Sequence, residues 1–131
     1  MSTFEFPIRV YIEDTDAGGI VYYVNYFKFM ERARTEWMRS FGFGKTSIFA
    51  EDMMFVVHSV SADYKSPARL DDQLIATSRV IKSGAAYFTV EQQILCDGKL
   101  LCSGEAKIVC VDRETMTPRA IPKQIKDRVF V

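Results

Sequence analysis

The sequence carries a single histidine, His58, in 131 residues. A histidine-built metal centre or a Ser-His-Asp triad would rest on that one ring, which argues against both. Cysteine is scarce and odd in number: Cys96, Cys102 and Cys110, with no C-x-x-C spacing. That pattern argues against a disulfide framework and a zinc site. It leaves three small apolar residues suited to a reducing compartment. Charge of either sign is not in excess, since Lys+Arg is 17 and Asp+Glu is 17. A surface built to coat nucleic acid or anionic membrane is therefore not expected. No run of about 18 apolar residues occurs, so no stable membrane insertion is expected. Residues 1–7 have neither a basic start nor an apolar stretch. No signal peptide is expected, and the cytoplasm is the default location.

What is present reads as a globular chain. It is 48% hydrophobic and 26% charged, and its length fits one domain, residues 1–131, with a real core. Residues 4–12 alternate, with Phe6, Ile8, Val10 and Ile12 on one face and Arg9, Tyr11 and Glu13 on the other. That predicts a half-buried strand, and Pro7 favours a sheet edge or a strand opening. In residues 25–41, Tyr26, Met30, Ala33, Trp37 and Phe41 recur at helical spacing, and Phe27, Phe29 and Met38 widen the stripe. Lys28, Arg32, Glu36 and Arg39 form a thin polar ridge. A helix this apolar is mostly buried, and its aromatic and Met residues are core. Gly42 ends it, and residues 47–51 suggest a short helical turn.

Downstream the pattern changes to strands, predicted at 53–64, 73–82, 85–96 and 99–111. Ser83-Gly84 and Asp97-Gly98 mark hairpin turns between them. On the last strand Cys102, Gly104, Ala106, Ile108 and Cys110 share one small-residue face that lets a helix lie close. Residues 112–131 read as a polar tail with Pro118 and Pro122. The order predicts an α+β fold, an antiparallel sheet of about five strands wrapped round one long helix.

The chemistry falls at the junction between first strand and helix, Asp14-Thr15-Asp16-Ala17-Gly18-Gly19-Ile20-Val21-Tyr22-Tyr23. A carboxylate beside helix-start N–H groups suits acyl chemistry. The same residues also make a plain capped turn. A calcium loop starting at Asp14 fails, because its fifth position is Gly18 and its twelfth Asn25. A phosphotransferase aspartate pair would need a parallel sheet, which the hairpins forbid. Gly18-Gly19 is not a G-x-G-x-x-G fingerprint. His58, alone in mid-strand, reads as a packed or interface residue. Asp16 remains the best chemical group, as nucleophile or as general base on water.

The run from Arg9 to Tyr26 resembles the active-site signature of 4-hydroxybenzoyl-CoA-type thioesterases. Residues 31–36 (ERARTE), 64–72 (YKSPARLDD) and 116–122 (MTPRAIP) extend the likeness to YbgC-type, Tol-Pal-associated acyl-CoA thioesterases over nearly the whole chain. The resemblance implies a hotdog fold and hydrolysis of acyl-CoA, without a cofactor. It implies a homodimer whose sheets join, or a homotetramer, with the active site across the dimer interface. It puts the catalytic carboxylate on Asp16 and the oxyanion-binding amide on Tyr23. Asn25 and Tyr26 become substrate-binding candidates, with Tyr26 and Met30 near the acyl pocket. Lys65, Arg69 and Lys82 become candidates for the CoA phosphates. YbgC-type members generally carry His where this chain has Tyr23, and Tyr occurs there in the hydroxybenzoyl-CoA branch. A backbone N–H role survives that change; a side-chain acid–base role does not. Two rival readings follow. One is a non-catalytic binding or scaffold protein for acyl-CoA or acyl carrier protein, linked to envelope maintenance. The other is a hotdog dehydratase, ranked last because no histidine precedes His58.

Overall fold

The computed structural model describes residues 3–44 and 52–130. Strand β1 (Phe4–Arg9) leads through a short 3-10 turn (Ile12–Asp14) and a glycine loop into helix α1 (Asn25–Ser40). Four strands follow: β2 (Met53–Tyr64), β3 (Gln73–Ser83), β4 (Tyr87–Cys96) and β5 (Lys99–Asp112), then helix α2 (Lys123–Val129). All five strands form one sheet in the order β1-β3-β4-β5-β2, with every pairing antiparallel. The helical turn expected at 47–51 lies outside the described residues.

The sheet bends round α1 because α1 has apolar residues on most of its circumference. Tyr26, Phe29, Met30, Ala33, Trp37 and Met38 are all buried, each large one worth roughly 1.5–3 kcal/mol of transfer free energy. The core divides along the helix. Its first half packs on Ile8, Val10, Leu74, Ile94 and Cys102, and its second half on Phe88, Val90, Ala106 and Ile108. The small face of β5 does what its residue sizes predict. At Gly104 an added Cβ would collide with the Ser61 carbonyl on β2 and come within 3.4 Å of Met30 Cε on α1. Asp97 and Gly98 both take positive φ, +50° and +80°, as a two-residue hairpin turn demands.

Three expectations change. The first strand stops at Arg9 rather than running to residue 12. Beyond it the chain turns, because the Asp14 carboxylate accepts the Tyr11 N–H at 2.9 Å. Ile12 therefore leaves the sheet and lies 76% exposed. Second, Ala85 and Ala86 belong to the β3–β4 connection. Their carbonyls accept from Ile121 and Cys110 N–H groups instead of from β3. Third, the polar tail contains α2. Ile121, Ile125 and Val129 recur at helical spacing and are buried against the second half of the core, and Pro122 stands at the N-cap. Among the described residues no helix is long and apolar enough to cross a membrane.

Candidate active site

The loop between β1 and α1 is folded back on itself. Thr15 bridges Val21, and the Asp16 N–H donates to the Ile20 carbonyl at 2.9 Å. Gly19 takes φ +79°, a conformation that would strain a residue with a Cβ. The loop is also pinned to the segment before β3. The Val21 N–H donates to the Ala68 carbonyl at 2.9 Å and the Leu70 N–H to Gly19 at 3.3 Å. The tip is thus rigid at its base and open to solvent at Asp16, which is exposed. The Asp16 Oδ1 accepts one hydrogen bond, from the Gly18 N–H at 2.9 Å. Its remaining lone pairs are available to water or substrate.

The neighbouring carboxylate behaves differently. Asp14 is only 3% exposed. Lys28 Nζ donates to its Oδ1 at 2.6 Å and the Tyr11 N–H to its Oδ2 at 2.9 Å. Its backbone carbonyl accepts from Asn25 Nδ2 at 2.8 Å and from the Tyr22 N–H at 3.0 Å. Burial alone would raise the Asp14 pKa. The Lys28 and Tyr11 hydrogen bonds, with the charges of Lys28 and Arg32, outweigh burial and hold it below its ordinary 3.8. Asp14 is a fixed anion that ties the loop to the first turns of α1. Two aspartates two residues apart in sequence are therefore one structural post and one open carboxylate.

The start of α1 supplies the donors. Its N-cap position is Val24, with no side-chain cap. Among the described residues the N–H groups of Tyr23 and Val24 donate to no protein acceptor. The peptides that carry them are held from both sides. The Tyr22 carbonyl accepts from the Asn25 N–H at 2.8 Å. The Tyr23 carbonyl accepts from the Tyr64 hydroxyl at 3.2 Å. The Tyr23 ring, 57% exposed, meets Tyr22 and Tyr64 edge-on, with centroids 5.0 and 6.1 Å apart. Unsatisfied N–H groups at a helix start, backed by the helix dipole, are suited to developing negative charge on an oxygen.

The other expected residues divide. Lys65 follows Tyr64 at the end of β2, so it lies at this end of the sheet, where its Nζ meets Asp63 at 2.6 Å in solvent. Arg69 bridges Ile20 through its backbone, with its side chain exposed. Lys82 does not join them. It stands nine residues along β3 from Gln73, roughly 30 Å away at strand rise. Asn25 spends its side-chain amide on the Asp14 carbonyl. Tyr26 faces the core, 3% exposed, with its hydroxyl accepting the Ala68 N–H at 2.9 Å. Met30 is buried under the helix as well. So Tyr26 fixes the segment beside the loop from within the core, whereas Asn25 ties the loop and also lines a cavity between α1 and β2.

Two cavities lie between α1 and the edge strand β2; others open beside residues 9–13 and on the outer face of α1. One, of about 240 Å³, is lined by Met38, Phe55, Val57 and Ile108 among others. A second, of about 320 Å³, is lined by Val24, Phe27, Val57 and Val60. They share Val57, Glu31 and Arg34, so they adjoin, and the two together make a trough-like surface between the start of α1 and β2. Sequence reasoning missed this face. Its signal was the excess of apolar residues on β2, at Val57 and Val60, over what one buried face needs. His58 sits exposed in the same strand, at a bulge between Val57 and Ser59. Burial disfavours the thiolates: it pushes Cys102 up to about 11 and also raises Cys96 and Cys110.

Comparison with known proteins places the chain in a family. Residues 10–129 match the model of the thioesterase-like superfamily. The acyl-CoA thioester hydrolase YbgC of Escherichia coli O6:H1 (strain CFT073) is 44% identical over 93% of this chain and 92% of its own. The acyl-CoA thioesterase YbgC of Haemophilus influenzae is 41% identical over 94% of this chain and 91% of its own. A crystal structure of a probable thioesterase from Bartonella henselae superposes with a TM-score of 0.87 at 33% identity, covering 92% of this chain and all of that one. The chain therefore belongs to the thioesterase-like superfamily and, within it, to the YbgC acyl-CoA thioesterases.

Proposed function

We propose that the protein hydrolyses acyl-CoA thioesters to the free acid and CoA, with the Asp16 carboxylate as the reacting group. What supports this is one exposed carboxylate at a glycine turn, in the loop that leads into free N–H groups at the start of α1. In the general-base course Asp16 takes a proton from water, and the hydroxide oxygen bonds to the thioester carbon. The Tyr23 N–H binds the resulting oxyanion, the C–S bond breaks, and the CoA thiolate leaves and takes up the proton. In the nucleophilic course a carboxylate oxygen bonds first, and water cleaves the mixed anhydride. Loss of one oxyanion donor costs ~10²–10³ in rate, so this pair is strong enough to matter.

The acyl chain lies in the apolar trough between α1 and β2. CoA runs outward over the loop end, where Lys65 and Arg69 offer positive charge. The working assembly is a homodimer joined through β2, itself able to pair into a tetramer. Strand β2 spans Met53–Tyr64 at the edge of the sheet with Val57 and Val60 exposed, and a long apolar edge of this kind is a template for a second strand. Three free thiols suit the reducing cytoplasm. An acyl carrier protein is an alternative donor of the acyl group, since the proposed site addresses the thioester rather than the nucleotide.

The test is release of free CoA from a panel of acyl-CoAs by the wild type and by Asp16→Asn. The expected result is turnover by the wild type and a loss of ~10²–10⁴ in kcat in the variant. Binding across the panel without hydrolysis would instead support the scaffold reading. Equal turnover by both proteins would remove Asp16 from the chemistry.

A further inference from the structure

A polar knot lies beneath α1 in an otherwise apolar core. Gln92 on β4 is 1% exposed. Its Nε2 donates to the Met30 carbonyl at 2.8 Å and to Ser78 Oγ at 3.0 Å. Its Oε1 accepts from Arg34 Nη1 at 2.8 Å. A buried amide is costly unless it is satisfied, and here both its donor hydrogens and its acceptor are in use. The result is a guanidinium fixed at one place on the helix. Arg34 has five N–H donors, and Gln92 takes one. Among the described residues no carboxylate lies within ion-pair distance of it. Burial pushes its pKa down, and the charge of Glu31, one turn earlier, partly offsets that.

Both Arg34 and Glu31 line both cavities of the trough. A donor-rich cation and an acceptor-rich anion thus stand side by side where the two cavities adjoin; the rest of the lining is apolar apart from Thr35, Asn25 and Lys28, and Lys28 is paired with Asp14. Arg34 lies eleven residues after Tyr23, roughly 16 Å along a helix axis. Helical side chains lean toward the N-terminus, which shortens the gap from the Tyr23 N–H to the guanidinium to roughly 10 Å.

We infer that Arg34, aimed by Gln92, reads the far end of the acyl chain, and that the substrate class is a medium-length acyl-CoA ending in a hydroxyl. The inference rests on the acyl chain lying in the trough. A hydroxyl accepts from the guanidinium and donates to the Glu31 carboxylate, so one group answers both. A methyl end answers neither and leaves the guanidinium short of partners. A carboxylate end pairs with Arg34 but meets the like charge of Glu31.

The experiment compares kcat/KM for methyl-ended, ω-hydroxy and ω-carboxy acyl-CoAs of matched length, about six to twelve carbons given the ~10 Å span. The wild type is expected to favour the hydroxy end over the methyl end by about tenfold or more. The preference should peak at one length. Arg34→Met is expected to bring that ratio close to one. The wild-type panel alone tests the inference, whatever the folding of the variant. No discrimination between ends overturns it, as does a preference for the carboxylate end. An unchanged ratio in Arg34→Met also overturns it. So does a fall in the variant's sedimentation coefficient, because the guanidinium would then serve a contact with a second copy. If no chain is hydrolysed, the proposed function fails along with the inference. If methyl-ended chains are hydrolysed as fast as the rest, only the inference fails.

Discussion

Replacing Lys28 by Met isolates the interaction that ties the loop of residues 14–23 to α1. The substitution keeps the length and apolar stem of the side chain and removes its ammonium. It leaves the Asp14 carboxylate, 3% exposed, with the Tyr11 N–H as its remaining side-chain partner. Breaking a fully buried ion pair costs ~3–5 kcal/mol. The Lys28 side chain is 37% exposed, so water shares the pair and the expected cost falls to about 2–3 kcal/mol. For a chain of this size that is a drop in Tm of about 10 °C. The sign of the pH dependence follows from Asp14, whose pKa is held below 3.8 in the folded state. A depressed carboxylate pKa contributes stability that is complete above the unfolded value. That stability is lost as pH falls through the folded value. The gap in Tm between wild type and Lys28→Met should therefore be constant near neutrality and should narrow below about pH 4. Thermal unfolding followed by circular dichroism from pH 7 to pH 3 measures it. A gap equally wide at both ends of that range, or no gap at pH 7, refutes the reasoning.

Other consequences are simpler. Ile125→Ala, in the short C-terminal helix, removes a fully buried side chain from the second half of the core and should cost ~2–5 kcal/mol in denaturant unfolding. A cost under 1 kcal/mol would show that α2 is not part of the cooperative core. Tyr23→Phe keeps the backbone amide and should leave kcat within about threefold of wild type, against the ~10²–10³ for loss of an oxyanion donor. A fall of that larger size would assign the chemistry to the phenol. Val60→Asp puts a charge on the exposed face of β2 and should shift the assembly toward monomer in sedimentation velocity. An unchanged sedimentation coefficient would move the interface away from β2.

The fold was legible where local chemistry and tertiary packing agree. The Asp97-Gly98 turn and the all-round apolar pattern of α1 each had one structural solution, and the small face of β5 told how close the helix would come. Legibility ended where a distant group decides. Residues 10–12 alternate as a strand does, yet the Asp14 carboxylate captures the Tyr11 N–H, and Asp14 is held there by Lys28, fourteen residues on. Asp14 and Asp16 have the same side chain and nearly the same neighbours in sequence. Only the folded loop shows that one is buried and paired and the other open. Lys82 stands beside a turn, as Lys65 does, but antiparallel strands have turns at both ends, and this one is at the end of β3 away from the loop. The short α2 was hidden by its charged residues, although Ile121, Ile125 and Val129 repeat at helical spacing.

The proposed function divides the labour of two aspartates: in that proposal Asp16 carries the chemistry, while Asp14, buried and paired with Lys28, holds the loop. The direct measurement is kcat together with Tm for Asp16→Asn and Asp14→Asn, each assayed well below its own unfolding transition. Asp16 is exposed and its bond to the Gly18 N–H can be kept by an amide oxygen. Asp16→Asn should therefore keep a Tm within about 2 °C of wild type and lose ~10²–10⁴ in kcat. Asp14→Asn should lower Tm by several degrees and retain most of its turnover at low temperature. A wild-type kcat in Asp16→Asn, or a loss of turnover in Asp14→Asn as large as the one expected at Asp16, would contradict the account.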